Sequence, residues 1–152
     1  MKIKYDASEV EEMHQLLEEV TPQVAQWAVN QTAEQTRSEM VLAIQRGPAT
    51  GKVYEKYNPR RTHQASAPGE APMSDTGDLA RHITTDQQNP RSVKRLGDVG
   101  AAAGAPDGFE YADFLEFATS DMEPRPFAWP AFRAVFPDLA DYVRIGMRKR
   151  FK

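Results

Sequence analysis

The first third of the chain carries a long helical pattern, which constrains the fold more than any other feature. Residues 8–45 are predicted to form a helix. Ser8 can cap its N-terminus, and Glu11 stands three residues later, as in a capping box. Apolar residues then follow the i, i+3, i+4, i+7 spacing of one helical face. They are Val10, Met13, Leu16, Leu17 and Val20. Pro22 follows this stretch, and there we expect a kink or a new start of the helix.

Residues 46–77 lack helical or strand periodicity and are interrupted repeatedly by proline and glycine. They are predicted to form a long extended loop, in which only Val53-Tyr54 suggests a short strand. Such a long irregular segment is uncommon in a compact domain and usually has a function. Its first half is basic, with one opposing carboxylate, Glu55. The basic residues are Arg46, Lys52, Lys56, Arg60 and Arg61.

The second half of the chain predicts a sheet followed by a helix. Within a sheet region at 78–120, Leu79–Asp86 and Ser92–Ala102 are predicted strands, while Phe109–Thr119 fits a strand, a short helix or both in turn. Residues 124–152 are predicted to be a C-terminal helix region with a break at Pro137. The expected fold is therefore α+β: one domain, 1–152, with a small antiparallel sheet packed with a long N-terminal and a C-terminal helix.

Composition excludes several classes of protein. The chain has 152 residues, no cysteine and a net charge of −3. Disulfides, thiolate metal sites and cysteine nucleophiles are therefore excluded, which agrees with a reducing cytoplasm. The N-terminal residues lack the apolar run of a signal peptide. No stretch reaches the roughly 18–20 apolar residues of a membrane span, so no membrane partner is expected.

Catalytic patterns are also missing from the sequence. The histidines are His14, His63 and His82, and none has the spacing of a metal-binding motif. Ser66 is not in a nucleophile elbow. Glu70 and Asp75 are candidates for paired acid–base carboxylates, although Asp75 before Thr76-Gly77 is also typical of a turn. We therefore expect no enzymatic activity, no cofactor and no metal site.

Three groups of residues resemble a family of tailed-bacteriophage neck and minor tail proteins. The first is His63–Pro72 followed by Asp75–Leu79, and Gly51–Tyr54 precedes it in a Gly-(Arg or Lys)-x-Tyr pattern. The other two are Tyr111-Ala112 with Leu115–Thr119, and Arg125-Pro126-Phe127 with Pro130-Ala131. The family has a glycine where this chain has Ala118. The resemblance covers about residues 47–135.

The resemblance implies a non-enzymatic structural subunit of the head–tail junction. Such a protein completes the tail or neck as a homo-oligomeric ring, a hexamer or a dodecamer, around the DNA channel. The implied partners are further copies of itself, the head connector or adaptor, and the tail tube or terminator proteins, with packaged DNA passing through the lumen. The implied location is the virion neck, assembled in the cytoplasm of the host bacterium.

Nine residues are candidates for protein interfaces. They are Arg60, Arg61, His63, Asp75, Thr76, Gly77, Arg125, Phe127 and Trp129. Arg125 lies between two prolines that favour an extended backbone. Phe127 and Trp129 then fit either a core residue with a partly exposed neighbour or an aromatic anchor at an interface, where aromatic residues and arginine are enriched.

Other functions compete with this interpretation. A tail terminator or head-completion protein would occupy an adjacent ring of the same neck. A DNA-binding module would use the basic loop and the basic C-terminus, where Arg144, Arg148, Lys149, Arg150 and Lys152 lie. A hydrolase would use His63, Glu70 or Asp75 and would need a pocket that joins them.

Overall fold

The computed structural model describes residues 7–150, except for the side chains of residues 7–10, 12, 13, 16, 17 and 19. The helices are α1 (Ala7–Arg46), α2 (Asp78–His82), α3 (Glu110–Phe117), α4 (Ala128–Val135) and α5 (Leu139–Arg150). The strands are β1 (Val53–Tyr57), β2 (Arg60–Gln64), β3 (Thr84–Gln87) and β4 (Ala101–Gly104). Short 3-10 helices span Pro90–Ser92, Leu96–Asp98 and Phe136–Asp138. The predicted α+β class with a long N-terminal helix is confirmed.

Helix α1 continues through Pro22 as one element of 40 residues, so the predicted restart is wrong. A proline inside a helix removes one backbone hydrogen bond at a cost of about 3 kcal/mol. Around Pro22 the helix buries Val20, Val24 and Ala28, and this burial offsets the cost. The side chains of Ser8 in the predicted capping box and of Val10, Met13, Leu16 and Leu17 in the first apolar turns lie outside the described set.

Half of the predicted extended loop is a β-hairpin. Strands β1 and β2 pair antiparallel from Val53 opposite Gln64 to Tyr57 opposite Arg60, and a cis Asn58-Pro59 bond lies in the turn. The pairing extends beyond the strands, because the Gly51 N–H donates to the Ala65 carbonyl at 2.8 Å. Sequence patterns missed the hairpin because nearly all its residues are exposed, so no apolar alternation marks a buried face.

The region 78–120 contains less sheet than expected. The predicted strand Leu79–Asp86 is helix α2 followed by β3, and β3 pairs with β4 in a second two-stranded sheet. The predicted strand Ser92–Ala102 is mostly irregular: it contains the 3-10 helix Leu96–Asp98, and only Ala101 and Ala102 belong to β4. Before it, the Asn89 side chain accepts from the Arg91 N–H and Pro90 begins a helical turn. For Phe109–Thr119, the helical alternative is confirmed by α3.

The C-terminal region forms two helices, as its proline predicts. Helix α4 ends at Val135, the 3-10 turn Phe136–Asp138 contains Pro137, and α5 follows from Leu139. Among the described residues, no helix is both long enough and apolar enough to cross a membrane.

The described residues group into two compact units, although length alone predicted one domain. Unit 1 comprises residues 7–32, 87–101 and 138–150. Its most buried polar side chain is Gln26, which is fully buried. The Gln26 amide pairs with the Gly100 backbone, donating to the carbonyl at 2.7 Å and accepting from the N–H at 2.9 Å. Both polar ends of the side chain are therefore satisfied, as burial requires.

Unit 2 comprises residues 33–86 and 102–137 and contains the main hydrophobic core. Side chains from α1, α2, α3 and α4 meet in this core. The buried members are Met40, Ile44, Leu79, Ala80, Ile83, Ala112, Leu115, Phe127 and Ala131. The hairpin and the segments that resemble the phage family all belong to this unit.

Candidate interaction site

Asp75 is the centre of a charged cluster on one face of the hairpin. Opposite and alternate residues share a face of an antiparallel pair, so Lys56, Arg61 and His63 all point to the same side. The Arg61 Nη2 donates to Asp75 Oδ1 at 2.7 Å, and the Lys56 ammonium donates to Oδ2. The His63 Nδ1 lies 3.8 Å from Oδ1. The cluster fastens the hairpin to the segment that leads into α2.

His63 is more protected than the other members of the hairpin, with 19% of its side chain exposed. Burial is the largest cause that lowers the pKa of His63, and the positive charges of Lys56 and Arg61 lower the pKa further. The imidazole is therefore held in its neutral form at neutral pH. A neutral ring 3.8 Å from Asp75 contributes packing to the cluster rather than an ion pair.

Glu70 closes the base of the hairpin. Its carboxylate accepts from the Thr50 hydroxyl at 2.5 Å, from the Thr50 N–H at 3.2 Å and from the Ala67 N–H at 2.8 Å. These hydrogen bonds, with that of the Thr50 hydroxyl the strongest, lower the pKa of Glu70. Glu70 and Asp75 thus bind separate partners, and each has a structural role as an anchor.

The position of Gly51, which begins the Gly-Lys-Val-Tyr motif, requires a residue without a Cβ atom. A Cβ atom at this position would lie 2.5 Å from the Ser66 carbonyl oxygen and 2.8 Å from that of Ala65. Both neighbours are backbone atoms, which cannot turn away. Only glycine allows the two chain segments to approach at the hairpin base.

Thr76 and Gly77 form the turn into α2, as the sequence predicts for a Asp-Thr-Gly motif. Gly77 has φ +81°, a left-handed conformation that favours glycine. The Thr76 hydroxyl donates to Asp78 Oδ2 at 2.6 Å and accepts from the Asp78 N–H at 3.3 Å. The Thr76 hydroxyl, followed by the Arg81 guanidinium, lowers the pKa of Asp78. The motif therefore determines how the chain passes from the Asp75 cluster into α2.

The three candidate residues in and after the Arg-Pro-Phe segment have different environments. The Arg125 N–H donates to the Leu115 carbonyl at 2.7 Å, and its Nε donates to the Ser66 carbonyl at 3.3 Å, so this arginine joins parts of its own unit. Phe127 is 3% exposed and belongs to the core. Trp129 is 59% exposed and stacks on Phe132 with ring centroids 5.6 Å apart. The core alternative thus holds for Phe127, while Trp129 remains on the surface.

Glu116 is a functional residue that the sequence patterns missed. Its Oε2 accepts from the N–H groups of Phe127 and Ala128 at 2.8 and 3.0 Å, and Oε1 accepts from the Trp129 N–H at 2.9 Å. The carboxylate of α3 therefore caps the N-terminus of α4, where unpaired N–H groups attract negative charge. The sequence contained one indication of this contact. None of the residues directly before α4 has a side chain that commonly caps a helix, so the N–H groups of its first turn need an acceptor from elsewhere in the chain.

Ala118 adopts a backbone conformation that ordinarily requires glycine. Its φ is 74° and its ψ is 173°, a region almost restricted to glycine. The phage family has glycine at this position in its Glu-Phe-Gly-Thr pattern. The chain therefore makes a sharp turn directly after α3 with a strained residue.

A groove of about 430 Å³ follows the Asp75–Asp78 segment, but it does not join the three residues of the hydrolase alternative. His82 and Phe109 stack at its edge with centroids 4.5 Å apart. Of the predicted residues, Asp75, Thr76 and Gly77 line it, whereas His63 and Glu70 do not. Within residues 7–150 the structure describes no cluster of three potential metal ligands.

Comparison with known proteins gave no match. No family model matches the sequence, no curated protein is similar to it at a significant level, and no solved structure shares its fold at a significant level.

Proposed function

We propose that this chain is a structural subunit of the tailed-phage head–tail junction that joins further copies of itself into a ring. One observation carries the proposal: the motifs of the resemblance contact one another within unit 2. Within the first group His63 lies 3.8 Å from Asp75, and Arg125 of the third group donates to the carbonyls of Ser66 in the first group and Leu115 in the second. Residues far apart in sequence therefore serve one local structure, as expected when a motif set belongs to a single inherited fold.

Exposed aromatic side chains support an assembly role. Tyr57 is 77% exposed, Phe117 79%, Trp129 59% and Phe136 52%. Trp129 and Phe136 form one surface group through Phe132, whose ring centroid lies 5.6 Å from that of Trp129 and 5.3 Å from that of Phe136, and grouped exposed apolar residues mark interaction surfaces. A two-stranded hairpin is only marginally stable by itself in water, so an exposed hairpin gains stability from a partner. These features fit a subunit whose surface is completed by neighbours.

The DNA-binding alternative has less support. The basic C-terminus is partly engaged within its own unit, since Arg144 pairs with Asp141 and the Lys149 ammonium lies 5.3 Å from the centre of the Trp27 ring. Tight binding to free duplex DNA needs several phosphate contacts and falls steeply with salt. A salt titration of DNA binding separates this alternative from assembly.

The test is electron microscopy of the purified protein and of phage particles that carry a tagged copy. We expect rings of the protein, or a label confined to the neck of the particle. Purified infectious particles that lack the protein would contradict the proposal. An interruption of the gene that leaves head–tail joining intact would contradict it as well.

A further inference from the structure

The hairpin has an inner face and an outer face with different partners. Alternation along the strands places Tyr54, Lys56, Arg61 and His63 on the inner face, the side of Asp75, and turns the other six strand residues away. The hairpin outer face consists of Val53, Glu55, Tyr57, Arg60, Thr62 and Gln64. All six are exposed, with Val53 55% and Tyr57 77% exposed. This face thus presents apolar and aromatic area with one arginine at its tip.

Helix α3 also has two faces. Ala112 and Leu115 are buried in the core of unit 2, while the opposite side is exposed. The α3 outer face consists of Glu110, Asp113, Phe114 and Phe117, which follow the i, i+3, i+4, i+7 spacing of one helical face. Phe114 is 46% exposed and Phe117 is 79% exposed. Two aromatic rings therefore lie beside two carboxylates in water.

The segments that carry the two faces differ in charge. The hairpin outer face itself is neutral, because Arg60 and Glu55 cancel, and Arg60 at its tip is opposite in sign to Glu110 and Asp113 of the α3 outer face. Residues 52–64 contain four basic residues and one acidic residue, a net charge of +3. Residues 107–123 contain six acidic residues and no basic residue or histidine, a net charge of −6. The acidic residues are Asp107, Glu110, Asp113, Glu116, Asp121 and Glu123. Complementary charge favours encounter and fixes the orientation of docked surfaces.

We infer that the hairpin outer face of one copy docks on the α3 outer face of a second copy. Tyr57 packs against Phe114 and Phe117, and Arg60 lies beside Glu110 and Asp113. The contact joins two different surfaces, so each copy offers one of each to its neighbours and the assembly closes as a ring or extends as a helix. The inference deepens the proposed function and rests on it, because a ring subunit needs one such heterologous contact.

A second copy suits the hairpin outer face better than DNA does. Two of the basic residues of the hairpin, Lys56 and Arg61, are committed to Asp75 on the inner face. The outer face keeps Arg60 and also carries Glu55, to which the Tyr57 hydroxyl donates at 3.3 Å. One arginine beside a carboxylate offers few phosphate contacts, whereas its aromatic area matches the exposed rings of α3.

The experiment is sedimentation velocity on the full chain over a range of concentrations, with charge-reversal variants. Arg60→Glu and Asp113→Arg should each weaken self-association about tenfold or more, because like charges then face each other across the contact. An equimolar mixture of the two variants should associate again, since every contact between unlike copies is matched. The double variant in one chain should also regain association. Arg91→Glu, an exposed reversal outside both faces, is the control and should associate like wild type.

Several results would overturn the inference. A wild-type chain that stays monomeric at its highest soluble concentration would do so, as would single variants that associate normally. Duplex DNA binding that Arg60→Glu abolishes while self-association persists would assign the hairpin to DNA instead. The proposed function is tested separately: a self-associating chain absent from particles refutes the phage role alone, and a neck protein whose variants still associate refutes the contact alone.

Discussion

Ala118 shows how a single backbone angle can constrain the choice of residue. Its φ of 74° is strained for any residue with a Cβ atom. Relief of that strain stabilises the folded glycine variant by about 1–3 kcal/mol. The greater conformational freedom of glycine stabilises the unfolded chain by about 0.4–1 kcal/mol and so offsets part of this gain. We therefore expect Ala118→Gly to raise the free energy of unfolding by about 1 kcal/mol, measured by urea titration.

A matched control separates strain from general effects of glycine. Ala134 lies exposed in helix α4, where φ is helical. Ala134→Gly should lower the free energy of unfolding by about 0.5–1 kcal/mol. Equal effects of the two substitutions would mean that the turn at Ala118 is not strained.

His63 makes stability depend on pH. Its pKa is lowered in the folded chain, chiefly by burial and then by Lys56 and Arg61. Below about pH 6.5, the ordinary pKa of histidine, the unfolded chain binds a proton that the folded chain resists. The contribution of neutral His63 to the free energy of unfolding is therefore fully present above that pH and is lost as the pH falls through the lowered pKa.

We expect His63→Gln to flatten the fall in unfolding free energy in the acidic window below about pH 6.5, because glutamine does not titrate. The measurement is urea unfolding at several pH values within that window. His14→Gln, at an exposed position of α1, is the matched control. An unchanged pH profile in the His63 variant would refute the role assigned to this ring.

At the scale of elements, the cap on α4 is the contact whose loss should be easiest to measure. The Glu116 carboxylate satisfies three N–H groups of the first turn. Glu116→Ala should lower the free energy of unfolding by about 1–3 kcal/mol, since caps and hydrogen bonds to charged groups have this size. Glu116→Gln keeps an acceptor oxygen but no charge, so its loss should be smaller.

Glu110→Ala on the same helix serves as the control for the cap. Glu110 is exposed and lies on the α3 outer face, so its removal should change the thermal midpoint little. A Glu116→Ala variant as stable as Glu110→Ala would show that solvent replaces the carboxylate at the helix terminus.

Elements with an apolar pattern could be predicted from the sequence, and elements without one could not. The long helix, the break at Pro137 and the α+β class depend on periodicity and proline, and these predictions are confirmed. The hairpin strand Arg60–Gln64 has no apolar residue, because a neighbouring carboxylate rather than a core holds it. Tertiary contacts of this kind leave no local signal in a sequence.

The residues of the candidate site could also be predicted only in part. Arg61, His63 and Asp75 were predicted as interface residues, and they meet in one cluster, which the prediction did not include. Arg60 points away from that cluster, and Phe127 is a core residue. Glu116 was missed because its partners lie 11 to 13 positions away in the chain, beyond the reach of capping patterns.

At the scale of the whole molecule, the proposed contact assigns folding to one face of the hairpin and assembly to the other. Its inner face is fastened to Asp75, and its outer face contributes nothing to the hydrophobic core of unit 2. The Ala65 N–H donates to the Lys52 carbonyl at 3.0 Å, so these two residues already face each other as a hairpin pair. Residues 53–64 can therefore be replaced by Asn-Gly, which forms the tight turn that joins such a pair.

We expect the shortened chain to fold and to lose assembly. Its surface ion pairs with Asp75 contribute about 0–1 kcal/mol each, so the thermal midpoint should fall by only a few degrees, roughly 2–4 °C per kcal/mol for a chain of about 150 residues. In the shortened chain the Asp75 carboxylate has lost its basic partners. Adding Asp75→Asn removes this unpaired charge and should recover part of the lost thermal midpoint. In complementation, wild type should give tailed particles, whereas the shortened chain should give heads and tails that do not join. Normal particle yield from a shortened, folded chain would show that assembly does not depend on the hairpin.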